Sequence, residues 1–197
     1  MKKLSVVLTS VALCAVLSLS LVSCSKKEAT SSSSETSKAK SAPVKKMISL
    51  NSETIYGKAI TSEYFRDNDL TLVNIMATWC GPCVRELPEL QAINEANNGY
   101  GVVGLVIDTL DEITGQVNMS AVDEAKRIAE KTGAKYPLVI PTQDFMESIM
   151  SKTAGLLPTS FIVDKEGKIL KGPIAGARDE GAWLSILDKV KEAVITQ

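Results

Sequence analysis

Cys80-Gly81-Pro82-Cys83 stands where a strand-like run gives way to an amphipathic segment, and nothing else in the chain restricts the fold as much. Leu72 to Ala77 is a short apolar run of the kind that forms a buried strand. Beyond the cysteines, Val84, Leu87, Leu90 and Ile93 recur at spacings of three, which gives a helix one buried face. A second apolar run, Val102 to Ile107, follows. Strand, turn, helix and strand in that order build a sheet covered by helices.

The later segments extend this pattern. Thr109 to Asn118 reads as a polar loop, longer than the usual two to six residues of such connections. A helix is expected from about Ala121 to Lys131, with Ser120 as N-cap, Asp123 and Glu124 in its first turn, and Gly133 ending it. Leu138 to Ile140 suggests a short strand and Asp144 to Lys152 a short helix. Ser160 to Val163 and Lys168 to Leu170 flank Asp164-Lys165-Glu166-Gly167, a hairpin turn signal. A final amphipathic helix covers Glu180 to Ile195. The expectation is one α/β domain over residues 47–197.

The cysteine spacing has a chemical meaning. A thiol at a helix N-terminus faces unpaired amides and the positive end of the helix dipole, and both stabilise its thiolate. The thiolate is the nucleophile, and thiols so placed have pKa values lowered to roughly 3.5–7.5. Cys83, one turn on, is near enough to close a disulfide but points toward the helix–sheet interface. Cys80 should therefore attack and Cys83 resolve. The chain has no histidine, which excludes Cys–His and Ser–His nucleophiles. The competing reading of the pair is half of a structural zinc site, which needs four ligands. No second pair exists once Cys14 and Cys24 are accounted for, so no metal is expected. A net charge of -1 gives no electrostatic case for nucleic acid.

Cys14 and Cys24 belong to a different part of the chain. Lys2 and Lys3 precede an apolar stretch from Leu4 to Leu21, the pattern of an export signal over residues 1–23. Leu21-Val22-Ser23-Cys24 resembles the lipobox of bacterial lipoproteins, which implies cleavage before Cys24 and lipid on its sulfur. Two or more acyl chains would anchor it stably to a membrane. The alternative is an uncleaved membrane helix, near the lower limit of spanning length. Residues 24–46, rich in Ser, Lys and Ala, offer too little apolar surface to order themselves and read as a disordered tether. Both readings put the following domain outside the cytoplasm at a membrane.

Trp79-Cys80-Gly81-Pro82-Cys83 resembles the thioredoxin active site. Leu72 to Leu90, with Val84-Arg85-Glu86-Leu87-Pro88, is more similar to the membrane-anchored TlpA/ResA group of thioredoxin-like proteins. The resemblance spans about Met47 to Gln197. It implies a thioredoxin fold, a central mixed sheet flanked by helices with N-terminal extension strands. It also implies that Pro88 kinks its helix and that Leu156-Leu157-Pro158-Thr159 carries a cis-proline. A cis-proline loop beside the cysteines would leave the Leu157 backbone free to pair with a substrate strand. Trp79, Gly81, Pro82, Leu157 and Pro158 are therefore expected to bind substrate.

Asn74, six residues before Cys80, replaces the buried acid of thioredoxin, as it does in the TlpA/ResA pattern. Another group must take the proton from Cys83. Asp108, at the end of the next strand, and Glu86, one turn after Cys83, are the carboxylates to consider. A solvated strand end and an exposed helix charge are the competing readings of the two.

The resemblance implies a monomeric reductase of oxidised envelope proteins that needs no cofactor beyond its own cysteine pair. It implies electrons from a membrane thiol carrier of the CcdA/DsbD type, and clients such as apocytochrome c or a methionine sulfoxide reductase. A disulfide-forming oxidase is the alternative within the class. A non-catalytic binding lipoprotein is the alternative outside it. A peroxiredoxin reading fails, because Val73 and Ala77 stand where its proline and threonine would be.

Overall fold

A computed structural model describes residues 47–96 and 98–196. The expected signal peptide, the lipidation site Cys24 and the tether lie outside these residues. Two short strands open the domain, β1 (Asn51–Glu53) and β2 (Ala59–Thr61), paired antiparallel, followed by a helical turn α1 (Glu63–Arg66). These are the N-terminal extension strands expected from the resemblance.

The main sheet is built from β3 (Leu70–Met76), β4 (Tyr100–Val106), β5 (Leu138–Val139), β6 (Thr159–Val163) and β7 (Ile169–Ala175). Its order is β5-β4-β3-β6-β7. β3 runs parallel to β4 and antiparallel to β6, so the sheet is mixed. All seven residues of both β3 and β4 are buried, as strands covered on both faces must be. Four helices join them: α2 (Gly81–Glu95), α3 (Met119–Thr132), α4 (Gln143–Thr153) and α5 (Glu180–Ile195).

The pleat shows which face each helix covers. Asn74 pairs in register with Gly104, so the two share a face, and the Asn74 amide reaches Glu86 of α2. Leu105, the next residue along β4, points to the other face, where it lines a crevice with Phe145 of α4. α2 and α4 therefore cover opposite faces. α2 also contacts α3 and α5.

Two expectations need correction. α3 begins at Met119 with Asn118 as N-cap, its side chain accepting from the Ala121 amide at 3.3 Å. Ser120 lies inside the helix, and no acidic residue stands in the first turn. Both residues can cap, and Asn118 takes the role because its amide is already bound to the Thr109 carbonyl at 2.8 Å. Gly133 ends the helix as expected, at a φ of 75°. The last strand also runs further than Leu170, through Gly172-Pro173 to Ala175. β7 is an edge strand, where a proline without an N–H donor is tolerated.

Candidate active site

Three loops meet at one end of the sheet because the register of β3 puts them there. β3 pairs Met76 with Val106, so continuing the parallel register sets Thr78 opposite Asp108. It pairs Ile75 with Thr159 on the other side, so Pro158 falls beside the end of the strand. The chain then enters Trp79 and the cysteines.

Cys80 is the N-cap of α2, and its sulfur accepts from the Cys83 amide at 3.3 Å. Cys80 and Cys83 are joined by a disulfide, with their Cα atoms 5.3 Å apart. Pro82 occupies the first turn, where a missing N–H costs nothing. Pro88 lies within the helix. Exposure falls steeply across the motif: Trp79 is 72% exposed, Cys80 5% and Cys83 1%. Gly81 and Pro82 are exposed. The outer approach is thus an indole, two small residues and one sulfur edge, while the second sulfur faces the interior.

The cis peptide at Leu157–Pro158 stands where the resemblance implied it. Leu156 is 56% exposed and Leu157 half-buried. The Pro158 carbonyl accepts from the Gly176 amide at 2.8 Å. Among the described residues, the backbone of Leu157 makes no hydrogen bond.

The two carboxylates have separate surroundings. Asp108 is half-buried in a 3-10 turn over Ile107–Thr109. It accepts from the Thr78 amide at 3.1 Å and from the Thr78 hydroxyl, so it pins the loop two residues before Cys80. It is more than a solvated strand end.

Glu86 is only 2% exposed, unlike an ordinary helix charge. It sits one turn after Cys83 on the buried face of α2. Its Oε1 accepts from the Trp183 indole at 2.8 Å and from the Arg178 amide at 2.8 Å, and its Oε2 accepts from the Asn74 amide at 3.1 Å. Asn74 also donates to the Ser160 hydroxyl at 3.0 Å. Burial raises the Glu86 pKa from its ordinary value, opposed in turn by the Trp183, Arg178 and Asn74 donors. A buried carboxyl whose pKa is raised is suited to take up and release a proton.

Sequence reasoning missed Trp183, Arg178 and Ser160. They lie 86 to 97 residues from their partners in this network, and no local spacing marks them. The hint available was Asn74, a polar residue within an otherwise apolar strand run, which must find partners when buried.

The sequence matches the family model named Redoxin over residues 36–188. It is 31% identical over 99 residues to the thiol-disulfide oxidoreductase ResA of Geobacillus thermodenitrificans, covering 50% of this chain and 51% of that protein. The chain thus spans about half the length of the ResA relatives it matches. Over 154 residues it is 28% identical to a thiol:disulfide interchange protein DsbE homolog of Paracoccus denitrificans, covering 74% and 75%. Among solved structures, a thioredoxin family thiol:disulfide interchange protein from Chlorobium tepidum superposes with a TM-score of 0.59 at 24% identity. The alignment covers 77% of this chain and 99% of that one. StoA from Bacillus subtilis gives 0.53 at 18% identity, covering 73% and 98%. These likenesses show the thioredoxin fold.

Proposed function

This chain belongs to the redoxin family, and from that premise we propose that it is a thiol–disulfide oxidoreductase acting through Cys80 and Cys83. The observation that carries the reading is the position of the pair: Cys80 caps α2 between the exposed Trp79 and the exposed Gly81 and Pro82, and Cys83 follows on the buried face, one turn before a buried carboxylate. In the reduced protein the Cys80 thiolate attacks one sulfur of a client disulfide, and the other client sulfur leaves as a thiolate. Cys83 gives its proton to Glu86 and attacks the Cys80 sulfur. The second client thiolate leaves and the Cys80–Cys83 disulfide closes. Two electrons have passed to the client.

Glu86 is favoured over Asp108 as the proton acceptor because it lies one turn after Cys83 on the same buried face of α2 and burial raises its pKa, whereas Asp108 is half-buried and holds the Thr78 loop. Trp79, Gly81, Pro82 and the half-buried Leu157 form the surface a client would meet, while Pro158 is buried beneath it and acts only through the cis bond that sets the Leu157 backbone. The direction is reduction. Gly81-Pro82 is the pair found in thioredoxin, which lies near about -270 mV against about -120 mV for the oxidant DsbA. Extracytoplasmic placement with a lipid anchor on Cys24 rests on the sequence before residue 47. A CcdA/DsbD-type membrane donor would re-reduce the pair, and clients would be oxidised envelope proteins such as apocytochrome c or methionine sulfoxide reductase.

The test is to trap the intermediate. Cys83→Ser should accumulate client proteins linked to Cys80, released by added thiol, while Cys80→Ser should capture none. Absence of any adduct under conditions where the native chain turns over would remove the mechanism. A reduction potential above about -150 mV would reverse the proposed direction.

A further inference from the structure

The segment after β4 is an ordered finger. Leu110 and Val117 form an antiparallel bridge. The Asp111 amide donates to the Gln116 carbonyl, and the Gly115 amide to the Asp111 carbonyl, each at 2.8 Å. The Asp111 carboxylate accepts from the amides of Ile113 and Thr114 at 3.1 and 2.8 Å, closing the turn. At its tip Ile113 is 94% exposed, with Val117 and Met119 exposed beside its base. An apolar tip held in place but left uncovered marks a contact surface.

This finger stands on the end of the sheet that carries the disulfide. The Asp108–Thr78 hydrogen bonds join its base to the active-site loop. α4 borders it on the other side, and the chain that leaves α4 after Thr153 leads to Leu156 and Leu157. An open groove lies between finger and helix, with Leu110, Met146 and Met150 as its apolar lining and Glu112, Gln143 and Glu147 as its polar lining. Charge here is one-sided. Of the six residues lining the groove, Glu112 and Glu147 are carboxylates and none is lysine or arginine, and Asp144 adjoins Gln143 on α4. Asp123 and Glu124 of α3 are paired with Lys126 and Arg127 and do not add to this rim.

We propose that this groove and the finger tip seat the client segment flanking its disulfide, and that this segment is apolar with lysine or arginine beside it. The proposal rests on the exchange chemistry assigned to Cys80 and Cys83. Methionine side chains adapt to varied apolar partners, and the acidic rim selects among them by charge. The same rim repels anionic lipid headgroups and the matching face of a second copy.

The test uses the reduced full chain and two peptide disulfides that differ only in charge. Their cores are Lys-Leu-Cys-Leu-Lys and Glu-Leu-Cys-Leu-Glu, each carrying thionitrobenzoate on the cysteine so that its release reports the rate. At low salt kcat/KM should favour the basic peptide by about tenfold or more, and the preference should shrink in high salt. Combining Glu112→Lys with Glu147→Lys should reverse the preference, a gain that a misfolded chain cannot produce. Ile113→Ser should raise KM for both peptides without lowering kcat. Equal rates, or a preference unmoved by the charge reversal, would overturn the proposal. So would a concentration-dependent dimer abolished by Ile113→Ser, which would give the groove to a second copy. Hydroxyethyl disulfide separates the two levels. If it is reduced while the peptides react equally, only the docking surface fails; if it is not reduced, the exchange chemistry falls and the docking surface with it.

Discussion

Two carboxylates flank the sheet at opposite ends of β3, and their surroundings push them in opposite directions. Asp69, just before the strand, lies between Lys165 at 3.3 Å and Lys191 at 2.9 Å, and hydrogen bonds to these cations lower its pKa. Glu86, near the disulfide end, has three donors and no ion pair among the described residues, yet burial raises its pKa. The number of partners does not decide the outcome. Water does: Asp69 keeps 46% of its side-chain surface exposed, so its charge stays hydrated, while Glu86 has exchanged water for three dipoles. A raised pKa suits a group that takes up and gives back a proton, whereas a lowered one suits a permanent anion.

The strongest way to break this contrast is Glu86→Gln, which keeps the size and one acceptor oxygen for Trp183 and Arg178, cannot take a proton, and requires Asn74 to turn its amide oxygen toward the new NH2 group. Turnover should fall by roughly 10²–10⁴ through loss of general base catalysis. Rapid-quench trapping should show the first mixed disulfide forming at nearly the native rate and then persisting. Loss of the first step instead would mean that Glu86 only shapes the loop. The same variant should change how stability depends on pH. Because the folded pKa of Glu86 is raised above its ordinary 4.5, the native state holds the proton more tightly than the unfolded chain does. Its contribution is therefore fully present below 4.5 and is lost as pH rises through the folded value. Urea melts across that range should show this decline in the native chain and a flatter profile in Glu86→Gln.

Trp183→Phe is the next largest perturbation and sharpens the comparison. The ring stays in its buried site, but the indole donor to Oε1 is gone. A hydrogen bond to a charged group contributes about 1.5–3 kcal/mol, so the ionised form should lose roughly that much. The Glu86 pKa should rise further, and the acidic limb of the kcat profile should move to higher pH. A uniform loss of rate with no shift of the limb would make Trp183 a packing residue only.

The two ends of β3 also differ in how much of them the sequence discloses. Leu72 to Ala77 and the three-residue spacing after Cys83 are local patterns; β3 formed within two residues of the expected run and α2 encloses the Val84–Ile93 spacing. The cysteine pair at the helix start was legible for the same reason: strand, turn and helix are consecutive. Glu86 was legible as a candidate, one turn after Cys83, but its burial was not, because an acidic residue on a helix reads as exposed until Trp183 and Arg178, 97 and 92 residues on, are folded over it. The short run Lys168 to Leu170 did not disclose that β7 continues to Ala175, and its edge position is what lets it carry Pro173. The capping of α3 turned on a carbonyl at Thr109, outside the helix. Local periodicity thus located the redox pair, while the chemistry beneath it depended on contacts made by tertiary folding.

Asp69→Asn is the smallest expected effect and completes the contrast. Two ion pairs disappear together, but both are exposed and paid for with ordered lysine side chains, so the cost should stay below about 1 kcal/mol. Its sign with pH is opposite to that of Glu86. A lowered folded pKa gives stability that is present above the ordinary 3.8 and lost as pH falls through the folded value. High salt should erase the difference between variant and native chain, since exposed pairs are screened. Turnover should not change, because Asp69 lies at the end of β3 away from Cys80. A loss of turnover in Asp69→Asn would show that the two ends of the strand are coupled, and the division of the sheet into a reacting end and a surface-charged end would no longer hold.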